Sequence, residues 1–283
     1  MKKSILFFLM LFTVFAVNAQ KNSFQKEQKK YTNEAVETMR NFRKTSPLVL
    51  DDKRLPLLKQ FEVYSDNLPN TTFREYLTSA DSTASRLEHS TPILYCYRES
   101  FEKILGEVKS TKVKKGTAIV WMVYNMGFVV KTPTGCFGID IDHRYAEKLE
   151  PYLDFLCITH NHGDHYNTGL MEAMHNHGKP VLSNFYEKGG QYFSKTATSY
   201  KIGNFTISTD ISDHLRSPDL QDFVTMFRID CGEDSGNFTM LHCGDSGFLP
   251  ERFLNVQGPV NLLVLRWGAP RENEILGTGE GQV

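Results

Sequence analysis

The residues with the clearest chemical meaning are His160-Asn161-His162-Gly163-Asp164-His165. Three imidazoles and a carboxylate fall within six positions of a 283-residue chain that holds only nine histidines. Neutral imidazole nitrogen and carboxylate oxygen are borderline donors of the kind zinc takes, and manganese and iron accept them too. Gly163 is expected to let the backbone turn sharply so that side chains on either side converge. Without a cation the same residues would be polar rings needing separate partners, and each one buried unpaired costs about 1–3 kcal/mol. The cluster therefore favours a metal centre.

Such a cluster needs rigid elements to aim it. Leu153 to Thr159 is apolar and reads as a short buried strand that ends on the cluster. Phe205 to Ser208 reads as a second strand, running through Thr209-Asp210-Ile211-Ser212-Asp213 to a lone His214. Phe238 to Leu241 leads into His242-Cys243-Gly244-Asp245-Ser246-Gly247. Further strands are expected over Thr117–Val123, Phe128–Val130, Cys136–Ile141, Phe223–Phe227 and Asn261–Leu265. Thr168–Met174 reads as a helix, which puts His175 and His177 at its C-terminal end, where the dipole favours them. Strands interleaved with helices predict a layered α/β domain over residues 116–283. Residues 20–115 have helical spacing instead, with Ala35, Met39 and Phe42 as one stripe, and Pro47, Pro56, Pro69 and Pro92 are expected to cut this region into short helices. Lys109, Lys112, Lys114 and Lys115 read as a solvated linker between the two regions.

The histidine cluster after an apolar strand, the strand ending on His214 and the Gly244-Asp245-Ser246-Gly247 element resemble the metallo-β-lactamase superfamily, in the order that family uses. Cys136-Phe137-Gly138-Ile139-Asp140 resembles its earlier strand that ends on a supporting aspartate. The resemblance runs from about Gly116 to the C-terminus and implies an αββα sandwich. It implies that His160, His162 and His214 bind one metal ion, that Asp164 and His165 bind a second, and that Asp245 bridges the two. Asp164 and Asp245 would then be the catalytic carboxylates, with Asp140 behind the ligands. An aspartate at position 245 is similar to the ascorbate-6-phosphate lactonase-like and ribonuclease Z-like branch. In that chemistry, paired metal ions acidify a water and polarise the bond it attacks, whether ester, lactone or phosphodiester. The loop carrying Arg266 and Trp267 would border the site, Arg266 gripping an anion and Trp267 forming a wall, or both would pack as a surface corner. His143 reads as support for a ligand or as an exposed residue, and His242 as support or as a strand-end residue. The family's final histidine has no counterpart after His242, which implies a weakened second metal site or a chain incomplete at its C-terminus. A metal- or ligand-binding protein without turnover is the competing class.

Composition bounds the rest. Forty per cent hydrophobic and 23 % charged residues suit a globular chain rather than a disordered one. With 32 basic against 33 acidic residues there is no broad nucleic-acid funnel, and a small-molecule substrate is the expected partner. Met1-Lys2-Lys3, an apolar run to Val17 and small residues before Gln20 read as a signal peptide over residues 1–19. The expected destination is the periplasm or the exterior, with no membrane attachment after cleavage. Five cysteines are too few and too odd for a disulfide framework, and Cys136, Cys157 and Cys243 read as small core residues.

Overall fold

The computed structural model describes residues 33–215, 219–247 and 249–266. The expected signal peptide, Trp267 and the C-terminal residues lie outside them. The chain divides into two compact units, one ending at Glu102 and the other starting at Lys103.

The first unit is helical. It holds α1 (33–42), α2 (Arg54–Asp66), α3 (Asn70–Thr78), α4 (Asp81–Ser90) and the start of α5 (Pro92–Ser110). Pro69 caps α3 and Pro92 opens α5, where a missing N–H costs nothing. Pro56 does not divide the chain as expected; it sits in the first turn of α2, which tolerates it for the same reason. The apolar stripe closes on neighbouring helices, with Ala35 and Met39 packed against Tyr64 and Cys96. Buried Glu88 accepts from the Tyr76 hydroxyl at 2.9 Å and from Arg98 Nε at 2.7 Å, which satisfies the carboxylate.

The second unit holds two five-stranded sheets. The first runs in the order β1 (Ile119–Tyr124), β2 (Gly127–Lys131), β3 (Cys136–Ile139), β4 (Phe155–Cys157) and β5 (Val181–Leu182). The second has spatial order β10 (Leu262–Val264), β9 (Thr239–His242), β8 (Val224–Asp230), β7 (Phe205–Ser212) and β6 (Ser199–Ile202). Both are mixed: β3, β4 and β5 run parallel, as do β9 and β10, and the remaining pairs are antiparallel. Their inner faces meet as a sandwich. Phe137 stacks on Phe155 with centroids 5.0 Å apart, and Phe205 from the other sheet sets its edge against both. Val130, Ile139, Ile207, Phe227, Ile229 and Met240 fill the rest of this core.

Helix α6 (Thr168–Asn176) and the 3-10 segment Ala146–Tyr152 pack together, and α6 covers β4 and β5. Among the described residues the outer face of the second sheet is covered by a thinner layer, with Phe253 and Val256 lying on Met226 and Cys243. All five cysteines are buried and free, and burial pushes the Cys136 and Cys243 thiols up to about 12. They behave as small apolar residues. Among the described residues no helix is long and apolar enough to cross a membrane.

Parallel pairing decides where the functional loops emerge. Because β3 and β4 run parallel, Asp140 and Thr159 leave the first sheet at the same end. Strands β7 and β9 share a direction across antiparallel β8, so His214 and Asp245 leave the second sheet together. The two ends are joined by a bond from the Thr225 N–H to the Thr159 carbonyl at 2.7 Å.

Candidate metal centre

One nitrogen from each of His160, His162 and His214 lies within 4.8 Å of the other two. The loops that carry them are tied by backbone bonds. His214 pairs with Ser246 in an isolated bridge, the Leu215 N–H donates to the Asp245 carbonyl at 3.0 Å, and the Gly247 N–H donates to Asp213 at 3.1 Å. The lone histidine and the Gly-Asp element are therefore one rigid unit. The ring of Phe223, just ahead of β8, stands 5.0–5.9 Å from all three imidazoles and walls the cluster.

The hydrogen bonds settle which nitrogen His160, His165 and His214 present. Thr159 Oγ1 is 2.6 Å from Asp140 Oδ2, and an ionised carboxylate can only accept, so the threonine hydroxyl donates. Its oxygen then accepts from His160 Nδ1–H at 2.9 Å, which leaves His160 Nε2 as an acceptor. That atom is 3.1 Å from His162 Nδ1. His165 donates Nδ1–H to Asp140 Oδ2 at 2.8 Å, freeing its own Nε2. His214 donates Nδ1–H to the Leu215 carbonyl at 2.9 Å, and its Nε2 is buried with no partner. A buried acceptor left bare is costly unless a cation or proton meets it. The residues present fit a divalent ion with a preference for nitrogen donors.

Burial favours the neutral, metal-binding form of His160 and His162. It pulls His160 down to about 2, with the nearby His165 adding to the effect. His162 is lowered by burial and by the neighbouring His214. His165 differs: burial opposes its charge, but the hydrogen bond and charge of Asp140 outweigh that and raise it. Asp140 is fully buried, yet the His165 bond and the field of His242 hold it below the usual carboxylate range. Its backbone has φ 47°, a left-handed conformation that aspartate tolerates better than most residues.

A second set of ligand atoms within 4.8 Å of one another comes from His160, His165 and Asp245. Asp245 spans the two groups, 3.5 Å from His214 Nε2 and 3.9 Å from His165 Nε2. Asp164, expected as a ligand beside His165, stands at the rim. Its side chain is 62 % exposed, Oδ2 lies 3.9 Å from His165 Nε2, and the Asn125 amide donates to it at 3.2 Å. Asp142 is pushed up to about 6 by burial and by the charge of Asp164, so negative charge is crowded on this side. The expectation for Gly163 is corrected. It is not among the glycines with positive φ, and a Cβ there would meet nothing within 4 Å, so the turn does not require glycine. The glycine that matters is Gly244, with φ 51° and a virtual Cβ 2.7 Å from Thr159 Cβ.

The remaining histidines have other duties. His242 is buried and donates Nε2–H to the Met126 carbonyl at 2.9 Å while Nδ1 accepts from the Gly244 N–H at 3.2 Å, so both nitrogens are engaged. His143 is buried rather than exposed; its Nδ1 accepts from the Tyr145 N–H at 3.1 Å, and its carbonyl accepts from Asn167, the cap of α6. His175 lies in the last turn of α6, and His177 just past it pairs with Glu150 at 3.0 Å. Arg266 lines a cavity of about 430 Å³ together with Asp164 and Asp245. Thr159, Asn125 and Phe223 escaped the sequence reading as site residues. Only Thr159 had a usable signal, a hydroxyl next to the cluster.

No protein-family model matches the chain, and no curated protein does. Solved structures do. The metallo-β-lactamase fold protein YhfI from Bacillus subtilis aligns at 17 % identity and TM-score 0.39, over 52 % of this chain and 65 % of its own. A candidate metal-dependent hydrolase from Parabacteroides distasonis aligns at 12 % identity and TM-score 0.42, over 57 % of this chain and 75 % of its own. CmlA, a diiron β-hydroxylase from Streptomyces venezuelae, aligns at 16 % identity and TM-score 0.40, over 65 % of this chain and 39 % of its own. The sandwich stands on the sheet order and core packing of the chain itself.

Proposed function

We propose that this chain is an exported metal-dependent hydrolase of the metallo-β-lactamase type, with zinc held by His160, His162 and His214. A second ion would be held by His165, Asp164 and Asp245. The observation that carries this reading is the buried, unpartnered Nε2 of His214, whose Nδ1–H is spent on Leu215, in a cluster with His160, whose Nδ1–H is spent on Thr159. When bound, a zinc ion supplies Lewis acidity and an acidified water suited to ester, lactone or phosphodiester cleavage.

The chain's own residues supply the rest. Asp245 holds negative charge between His214 and His165, and keeps the two ligand groups at a set spacing. Asp164, exposed to the cavity and steadied by Asn125, is placed to take a proton during attack. Asp140 and Thr159 keep the ring nitrogens facing inward. A metal- or ligand-binding protein without turnover is the second reading, favoured by the outward position of Asp164.

Elemental analysis of the wild type against a His160→Ala, His162→Ala double variant tests the metal, and equal content in the two sinks the reading. Turnover on a panel of lactones, phosphodiesters and β-lactams tests the reaction. We expect Asp245→Ala to lose most turnover while circular dichroism shows an intact fold. A metal-loaded wild type inert on the whole panel supports the second reading.

A further inference from the structure

The cavity beside the metal centre is chemically lopsided. One wall comes from the β1–β2 hairpin, where Met122, Met126 and Phe128 face it. The end of β10 also lines it, with Val264 and Leu265 followed by Arg266. Asp164 and Asp245 line the same cavity. The hairpin wall is well supported: the Met126 carbonyl accepts from His242, and the Phe128 ring meets the His242 ring edge-on at 6.0 Å. Met122 is 60 % exposed although it is a large apolar residue in a strand. A thioether wall of this kind adapts to apolar groups of varied shape.

Among the described residues lining the cavity, Arg266 is the one cation. The two carboxylates of the same cavity are its natural partners, yet among the described residues no ion pair engages it, and Asp245 lies against His214 and His165 instead. A guanidinium next to an apolar wall, with no ion pair to the described acids, is suited to an anionic ligand group. A volume of about 430 Å³ is in the range of small-molecule sites.

We infer that the substrate is an amphipathic anion. It has an apolar group of about aromatic-ring size seated on Met122, Met126 and Phe128, and an anionic group held by Arg266. The reacting bond then lies near Asp164 and Asp245, which line the same cavity. This deepens the hydrolase reading and rests on it for the position of that bond.

The test uses the zinc-treated full chain and three probes: 4-phenylbutyrate, its neutral amide, and acetate. Calorimetry should show the acid binding at least about tenfold tighter than the amide, as expected for a hydrogen bond to a charged group. It should also bind tighter than acetate. Arg266→Met should abolish the preference for acid over amide, and Arg266→Lys should retain part of it. Met122→Ser, at an exposed position, should weaken phenylbutyrate and leave acetate unchanged. Equal binding of acid and amide, equal binding of acetate and phenylbutyrate, or a preference that survives in Arg266→Met would each overturn the inference. Zinc content measured in the same samples separates the two readings. A chain that takes no zinc fails the hydrolase reading alone, because the acid–amide comparison depends on Arg266.

Discussion

Thr159 does the work of three contacts with one small side chain and its own amide. The hydroxyl donates to Asp140 and accepts from His160, and the backbone N–H donates to Asp140 Oδ1 at 2.7 Å. Asp140 in turn sets the ring of His165. Both groups of ligand nitrogens therefore depend on a residue that touches no metal. Removing such outer support costs roughly 10–100-fold in metal affinity. Thr159→Val keeps the shape and loses the hydroxyl, so zinc titration should show weakening in that range, and Thr159→Ser should restore most of it. Wild-type affinity in a folded Thr159→Val protein would show that the rings are held by packing alone.

The elements that matter are short strand ends and the loops that leave them. Gly244 is where the loop from β9 presses against Thr159, and its left-handed φ places Asp245 just beyond the contact. A methyl at Gly244 meets Thr159 at 2.7 Å and adds left-handed strain, together about 1–3 kcal/mol of lost stability. We expect Gly244→Ala to lower the melting temperature and to loosen Asp245 as well, so that metal stoichiometry falls with stability. Gly163→Ala should change neither, since that position is open and not left-handed. A Gly163→Ala protein that melted lower than Gly244→Ala would reverse this assignment.

For the molecule as a whole, the buried rings make stability depend on pH. His160, His162 and His242 are all held below 6.5, chiefly by burial. The unfolded chain therefore takes up protons below that pH which the folded chain refuses, and stability falls with acidification. His165, raised by Asp140, acts in the opposite sense: its contribution is full below 6.5 and is lost as pH rises through its folded value. Asp142, pushed up to about 6 by burial and by Asp164, also favours the folded chain as pH falls through that value, so three lowered rings stand against two raised groups. Thermal melts of the chelator-treated protein should show a lower midpoint at pH 5 than at pH 7.5. A midpoint that rose on acidification would mean that the raised groups, His165 and Asp142, dominate.

Local chemistry was legible in the sequence wherever it is contiguous. The six-residue histidine cluster, the strands leading into His160, His214 and Asp245, and the apolar burial of Cys136, Cys157 and Cys243 all follow from neighbours along the chain. Strands as brief as Val181–Leu182, or as polar as Ser199–Ile202 on a sheet edge, carry too little pattern to be read. Tertiary structure alone decided the rest. It brought Asn125 to Asp164 and Phe223 to the three imidazoles, turned Asp164 toward the rim, and made Gly244 rather than Gly163 the required glycine. The physical reason is the same in each case. These relations join residues on different strands, and only the direction and stacking of the sheets determine which strand ends meet.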